Sequence, residues 1–297
     1  MSALISRPGV ASPQLEEVAL PPLGPGDLRV EVVAAGVNPV DAFVAAGPGR
    51  AVFGLDGPVG LGWDLTGVVR EVGTAVADFR VGDTVAAHLG DPGAPVRAHA
   101  TETVVPAAAA ARLPDGLDPV GAASIPLNAT TAAQAVDLLG PGDHRTLLVT
   151  GAAGAVGGYA VPLARRAGWV VTGLAREHDR GFVLGSGAGE LLTELPGPRF
   201  DAVLDAAGLQ EAAIAAVRDG GLFVGVLPGA PVPPERGVTA TAVQSDPDGA
   251  LLAELLALHA DGTLAVRVAG AVPLGEASTA YDKVAGGGQR GRWVLVP

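Results

Sequence analysis

Hydrophobic positions along this chain fall into two textures. In the first third, short Val-rich runs at Leu28 to Ala34, Gly67 to Val72 and Thr84 to Ala87 are separated by turns such as Gly24-Pro25-Gly26-Asp27 and Val81-Gly82-Asp83. Short apolar runs between Pro/Gly turns predict a mostly β domain. From Pro119 the texture becomes an alternation of helix and strand. It predicts a helix over Thr130 to Leu139, a strand from Leu147, a helix over Tyr159 to Ala167, then strands at Trp169 to Leu174, near Leu191, and at Ala202 to Asp205, Leu222 to Val226 and Val238 to Val243. Six strands with helical crossovers predict an α/β fold built on a doubly wound parallel sheet. Ala250 to His259 reads as a helix stopped by Gly262, and the tail returns to strand-like runs at Leu264 to Val268 and Trp293 to Val296. The expected organisation is a β-rich domain from residues 1–118 and 265–297, with a Rossmann domain at 119–264 between them.

The strand at Leu147 breaks into a glycine-rich turn, LLVTGAAGAVGG, with Gly151, Gly154, Gly157 and Gly158. Bare glycines let the backbone approach a pyrophosphate, and the following helix N-terminus faces its negative charge. The expected backbone contacts are Gly151, Ala153, Gly154, Ala155, Val156 and Gly157. Because Gly makes up 44 of 297 residues, chance spacings are common and the context carries the assignment. The next strand ends in Ala175-Arg176, where an NAD-binding fold places an acidic residue on the ribose. A guanidinium there favours a 2′-phosphate, so the expected cofactor is NADPH, with Arg180 as a second cation or as a solvated surface residue. Pro162 lies inside the predicted fingerprint helix and removes the amide that would bond to Gly158.

Charge and composition narrow the chemistry. A formal charge of −12 opposes general attraction to nucleic acid or to an anionic membrane surface. No apolar run reaches the length of a bilayer span, and MSALISRPGV breaks at Pro8-Gly9 before a signal-like core forms, so the expectation is a cytoplasmic protein. The chain has no cysteine, which excludes disulfides, thiolate zinc ligands and a Cys nucleophile. His88, His99, His144, His178 and His259 show no ligand-like spacing, and Lys283 is the single lysine, so metal and Schiff-base chemistry are not expected.

Four segments in register, AAGVNPVD at Ala34 to Asp41, PVGLGWDLTGVV at Pro58 to Val69, the glycine-rich turn and the terminal GRWVLVP, give the chain a family likeness. It resembles the zinc-independent quinone oxidoreductase branch of the medium-chain dehydrogenase/reductase superfamily. The resemblance implies a GroES-like substrate domain from both chain ends, an NADPH cleft and a homodimer. Zinc-dependent relatives carry Cys and His where Asn38 and Trp63 stand here, and a further Cys ligand near Leu127. Without a Lewis acid, alcohol oxidation loses its main support, whereas hydride addition to a conjugated acceptor delocalises the developing charge. Reduction of a quinone or an α,β-unsaturated carbonyl is the implied activity.

The same resemblance assigns individual roles. Asn38 either donates its amide to a substrate carbonyl oxygen or bonds its own turn. Thr131 approaches the nicotinamide carboxamide and could also cap a helix, so Asn38 and Thr131 are the catalytic candidates. Phe43, at a position often held by Tyr, Trp63 and Asn128 border the substrate. Ala207 after the strand ending at Asp205, Leu227, Val243 and Arg292 of the Gly291-Arg292 pair border the cofactor. Asp41 and Asp64 read as structural anchors, His99 as a satisfied polar residue, and Tyr159 and Tyr281 as packing residues, the latter on a surface helix. With no phenol assigned as acid, solvent supplies the proton. Two readings stay open: an enoyl-thioester reductase of the same superfamily, and a non-catalytic NADPH-binding redox sensor or structural protein. A short-chain dehydrogenase is excluded, since Tyr159 and Tyr281 are followed four residues later by Leu163 and Ala285 instead of Lys.

Overall fold

The computed structural model describes residues 1–230 and 232–297. Along the chain, β1 (Ser2–Ser6), β2 (Gln14–Glu17) and β3 (Asp27–Val37) lead into two short helices, α1 (Pro39–Ala45) and α2 (Pro48–Val52). Then come β4 (Val59–Gly60), β5 (Asp64–Val72), β6 (Thr84–His88), β7 (Glu102–Pro106), β8 (Ala110–Arg112) and α3 (Pro119–Ala122). The middle section holds α4 (Pro126–Leu139), β9 (Thr146–Thr150), α5 (Ala155–Arg166), β10 (Val170–Leu174), α6 (Arg180–Gly185), β11 (Glu190–Leu192), β12 (Phe200–Asp205), α7 (Glu211–Ile214), β13 (Val217–Gly225) and β14 (Thr239–Ala242). The chain closes with α8 (Gly249–Ala260), β15 (Val268–Pro273), α9 (Ala277–Ala285) and β16 (Arg292–Val296).

Two compact units divide these elements: residues 1–127, 247–260 and 266–297 form the first, 128–246 and 261–265 the second. In the first, a sheet runs β15-β16-β3-β5-β6-β8, with β7 also paired to β3 and a smaller sheet ordered β2-β1-β4. The tail returns as expected, since β16 pairs antiparallel with β3 through Trp293–Val37 and Leu295–Ala35. Alternation along β3 buries Leu28, Val30 and Val32 against Leu65, Val69 and Val85, which is the pattern of a sheet with one face on the core.

The second unit carries one six-stranded sheet in the order β11-β10-β9-β12-β13-β14, every pair parallel. Numbered within the unit this is 3-2-1-4-5-6, the doubly wound Rossmann order, which places its switch point between β9 and β12. Its strands are continuously buried: Leu147, Leu148, Val149, Ala202, Val203 and Leu204 are all fully enclosed, as strands covered on both faces must be.

Three expectations need correction. The helix over Ala250 to His259 exists as α8, but it belongs to the first unit, and so do 119–127. Gly249 at its start sits so close to the carbonyls of Ala108 and Ala110 that a Cβ would overlap them. No strand begins at Leu264: β15 starts only at Val268, and Leu264 is buried ahead of it. Tyr281 lies on α9 but is buried, with its hydroxyl 2.8 Å from His99 Nδ1. Pro162 is accommodated inside α5, buried, without ending the helix. Among the described residues no helix is long and apolar enough to cross a membrane.

Candidate functional site

In the second unit, β9 delivers the chain to Gly151, whose φ of +58° turns it back in a conformation that suits glycine. The turn closes by Gly154 N–H donating to Gly151 O at 2.7 Å, and Gly154 is the N-cap of α5. A Cβ at Gly157 would overlap the Gly151 carbonyl, so helix and turn meet backbone to backbone. The first helical bond is Gly158 N–H to Gly154 O, 2.9 Å. The amides of Ala155, Val156 and Gly157 precede it and have no acceptor within the helix. Ala153 stands in the same turn. Backbone donors at the positive end of a twelve-residue helix make an anion cradle with no charged side chain.

Neighbouring strand ends fix the cradle. Buried Asp205 accepts from Thr150 Oγ1 at 2.5 Å and from Gln210 N at 2.7 Å, while Thr150 Oγ1 accepts from Ala207 N at 3.1 Å. Thus Asp205 ties β9 to the loop after β12 and leads the chain into α7. A Cβ at Gly151 would sit 3.1 Å from the Ala207 methyl, and one at Gly208 would sit 3.2 Å from Leu227 Cδ1, so Ala207 lies beside the turn and exposed Leu227 beside Gly208 in the loop after β12. Val243 follows β14 with its side chain buried and its amide bonded to Gly225 O at 2.9 Å, which leaves it only backbone to offer a ligand.

The two arginines after β10 differ. Ala175 N–H is bonded to Leu192 O, and Arg176 follows, exposed and in no ion pair. Arg180 is held by Glu177 in a two-pronged contact, Nε–Oε1 2.6 Å and Nη2–Oε2 2.7 Å. Arg176 is therefore free to meet a phosphate, while Arg180 must first leave a carboxylate.

In the second unit Asn128 and Thr131 are both buried near the start of α4. Thr131 lies within the helix and not at its N-cap, which removes the capping role.

The remaining candidates sit in the first unit, on a buried polar network. Asn38 caps α1, its amide N–H donates to Asp41 Oδ2 at 2.8 Å, and Asp41 Oδ1 accepts from Gly62 N at 2.9 Å. Asn38 Nδ2 donates to Asp64 Oδ1 at 2.8 Å, and Asp64 Oδ2 accepts from Leu127 N at 3.3 Å. The Asn38 side-chain amide is thus held by Asp64, with Gly36 O also within 3.5 Å of Nδ2. Burial and the neighbouring Asp41 push Asp64 up to about 7. Arg292, read as a cofactor contact, opens β16 in this unit, where its charge acts on Asp64. His99 is satisfied on both nitrogens, by Tyr281 and by Gly36 O at 2.9 Å. Phe43 is exposed on α1.

Trp63 is buried, and two residues that the sequence reading missed surround it. The Arg97 guanidinium lies 3.8 Å from the Trp63 ring centroid and donates to Leu89 O at 2.8 Å. His88 ends β6 opposite Asp64, and burial, with Arg97 nearby, pulls it down to about 4. A signal existed: Arg97 interrupts the otherwise apolar run Ala94 to Ala100 together with His99, and a lone Arg in an apolar segment is out of place unless it is buried for a reason.

Two family patterns match this chain: the alcohol dehydrogenase GroES-like domain over residues 24–115 and a zinc-binding dehydrogenase domain over 182–295. The chain is 33% identical over 188 residues to a chloroplastic quinone-oxidoreductase homolog of Spinacia oleracea, covering 59% of this chain and 55% of that protein. It is 31% identical over 232 residues to the chloroplastic NADPH-dependent alkenal/one oxidoreductase of Arabidopsis thaliana, covering 73% and 59%. The chain thus spans between half and three fifths of these curated relatives. An alcohol dehydrogenase superfamily protein from Novosphingobium aromaticivorans matches over 100% of this chain and 99% of its own, at 29% identity and a TM-score of 0.87.

The zinc in the second pattern's description does not fit these residues. Trp63 Nε1 is a donor, Leu127 has no ligand atom and the Asn38 amide is bonded to Asp64. Among the described residues no group of three His, Asp or Glu is placed to hold a metal.

Proposed function

The chain belongs to the medium-chain dehydrogenase/reductase superfamily, and from that premise we propose that it is a metal-independent, NADPH-dependent reductase of quinones or α,β-unsaturated carbonyl compounds. The observation that carries the reading is that Trp63 is a buried indole, at the position where the sequence resemblance implies a metal ligand in zinc-dependent relatives. Chemistry that needs a Lewis acid at the substrate oxygen is then disfavoured, and acceptors whose own conjugation spreads the developing charge are favoured. NADPH, when bound, supplies the hydride.

The cradle at Gly151, Gly154 and Gly157 suits a pyrophosphate, with the amides of Ala155 and Val156 as donors and Ala207, Leu227 and the Val243 backbone as bordering surface. Exposed, unpaired Arg176 suits the 2′-phosphate. Thr131 and Asn128 are assigned to the nicotinamide and substrate, Phe43 and Trp63 to the substrate's apolar body. Asn38 becomes a positioning residue that holds Asp64. Neither phenol is available as an acid, because Tyr159 and Tyr281 are both buried, so the proton comes from water. The resemblance also leads us to assign a homodimer, with the exposed edge strand β14 as the place to look for the contact.

The test follows NADPH absorbance with 1,4-benzoquinone, 9,10-phenanthrenequinone, an alkyl enone and a crotonyl thioester, with and without EDTA. Turnover of a quinone or enone that chelator leaves unchanged is the expected result. Turnover of the thioester alone would favour the enoyl-thioester reading, and tight NADPH binding without any turnover would favour the sensor.

A further inference from the structure

A buried cation in contact with no carboxylate lies inside the first unit. Arg97 is 2% exposed, makes no ion pair with any carboxylate, and its Nε has no hydrogen-bond partner. Its one hydrogen bond is to the Leu89 carbonyl. Arg50 of the same unit shows what a structural buried arginine looks like: its nitrogens donate to the carbonyls of Ser6, Leu55 and Gly57 and to Ser6 Oγ. Arg97 has nothing comparable, although leaving a buried charge uncompensated is costly. Asp41, Asp91 and Asp64 act on it through space, but Asp41 and Asp64 are engaged with backbone amides and Asn38, and Asp91 accepts from Gly93 N.

The groups around Arg97 lack partners of the same kind. Trp63 Nε1, on a side chain 8% exposed, is unpartnered and can only donate. His88 is 1% exposed and neither ring nitrogen has a partner. With burial holding it near 4, His88 is neutral at pH 7 and offers one N–H. Arg97, lowered by burial only to about 10, keeps its charge. Arg97 links them: its guanidinium stacks on Trp63 and donates to Leu89 O, and its charge acts on His88, which stands opposite Asp64 at the end of β6. Next to them the Phe53 ring lies 5.8 Å from that of Trp63 and is itself 37% exposed, so an apolar surface open to solvent borders the donors.

An indole N–H, an imidazole N–H and a full positive charge stand against a single imidazole lone pair, and an anionic oxygen completes that excess of donors. We propose that Trp63, His88 and Arg97 form a carboxylate-recognition subsite, which selects small organic acceptors with an apolar body and a carboxylate end. The planar guanidinium fork matches a carboxylate, and the indole and imidazole N–H groups add donors to its outer lone pairs. The role of this ligand as an acceptor rests on the reductase reading, but the subsite itself does not.

The test therefore measures binding without turnover, on the full chain. Benzoate and its neutral counterpart benzamide are titrated while tryptophan fluorescence and Tm are followed. Benzoate raises Tm saturably and perturbs the fluorescence, benzamide at equal concentration does neither, and Arg97→Met weakens benzoate by at least about tenfold. Arg97→Met removes an unpaired buried charge and is expected to fold, and if it does not, the benzoate–benzamide contrast in the unaltered protein decides alone. Equal effects of the two compounds, or an Arg97→Met protein that binds benzoate like the original, overturn the subsite. Benzoate binding in a protein that reduces no quinone or enone would leave the subsite standing and remove the reductase reading; quinone turnover without benzoate binding would do the reverse.

Discussion

The glycine-rich turn of the second unit and the buried polar network of the first are made of opposite materials. The turn offers backbone amides alone, and what matters at Gly157 is that nothing projects. The network around Asp64 is built of side chains, Asn38, Asp41, Asp64, His88, Arg97 and His99, all buried and gathered from strands, helices and loops far apart in sequence. A backbone cradle keeps its donors in place whatever the pH, because amides do not titrate. A side-chain network carries its function in charges that burial shifts, so it responds to pH and to single-atom changes. Mutations should separate the two regions along that line.

The largest effect is expected at the turn. Gly157→Val forces a side chain onto the Gly151 carbonyl, and either the turn opens or α5 moves away from it. Overpacking at backbone contact costs about 3 kcal/mol or more, and with the turn displaced NADPH binding is lost. Calorimetry and fluorescence titration check both, and a Gly157→Val protein that binds NADPH normally would remove the turn from the site. Next comes Arg176→Ala. Loss of a charge-assisted contact to the 2′-phosphate weakens NADPH by roughly 10- to 100-fold, while NADH binding stays where it was. Equal changes for the two cofactors would show that Arg176 does not read the phosphate.

The network predicts a pH effect instead. Asp64, raised to about 7 from a carboxylate's usual 3.8, gives stability that is complete below about 4 and is lost as pH rises through 7. His88, lowered to about 4 from 6.5, gives stability that is complete above 6.5 and is lost as pH falls through 4. His99, also lowered by burial, acts in the same sense as His88. Between pH 4 and 6.5 the two slopes oppose each other, each at most about 1.4 kcal/mol per pH unit. Asp64→Asn should therefore make Tm rise more steeply with pH in this window than in the unaltered protein, and His88→Leu should make it fall more steeply. Unchanged slopes in both variants would mean that neither group is buried in a shifted state. No comparable change is expected from substitutions at the turn.

Legibility followed the same division. The turn, its strand and its helix are contiguous, so local spacing was enough to place Gly151, Gly154 and Gly157, and the alternation of elements carried the Rossmann order with them. Strand runs at Leu28, Gly67 and Thr84 were visible because one face of each is apolar. Long-range closure was not visible. Nothing near Tyr281 says that its hydroxyl meets His99, 182 residues away, and nothing near Gly249 says that α8 packs on the carbonyls of Ala108 and Ala110. Asn38 was readable as a polar residue in a family motif, but the partner that commits its amide, Asp64, comes from another strand. Arg97 was passed over because a single arginine in a loop reads as solvated until its burial is known.

The smallest expected effect is the sharpest test of reading charge from sequence. Arg176 and Arg180 lie four residues apart after the same strand, and spacing alone gives both a chance at the phosphate. Geometry separates them: Arg180 is already gripped at two points by Glu177 one turn away, whereas Arg176 has no such partner. An exposed pair of this kind contributes little to stability, so Arg180→Ala should leave Tm nearly unchanged. For Arg180 to serve the cofactor it would have to exchange one anion for another, a near-neutral trade in water, so NADPH affinity should shift by less than about threefold. Glu177→Gln provides the complement. By releasing Arg180 and removing a negative charge beside Arg176, it should tighten NADPH slightly and leave NADH alone, and this gain should disappear in the Glu177→Gln, Arg180→Ala double variant if the freed guanidinium is its source. A large loss on Arg180→Ala alone would show that the Glu177 contact breaks when NADPH arrives, and that the second arginine is as much a phosphate reader as the first.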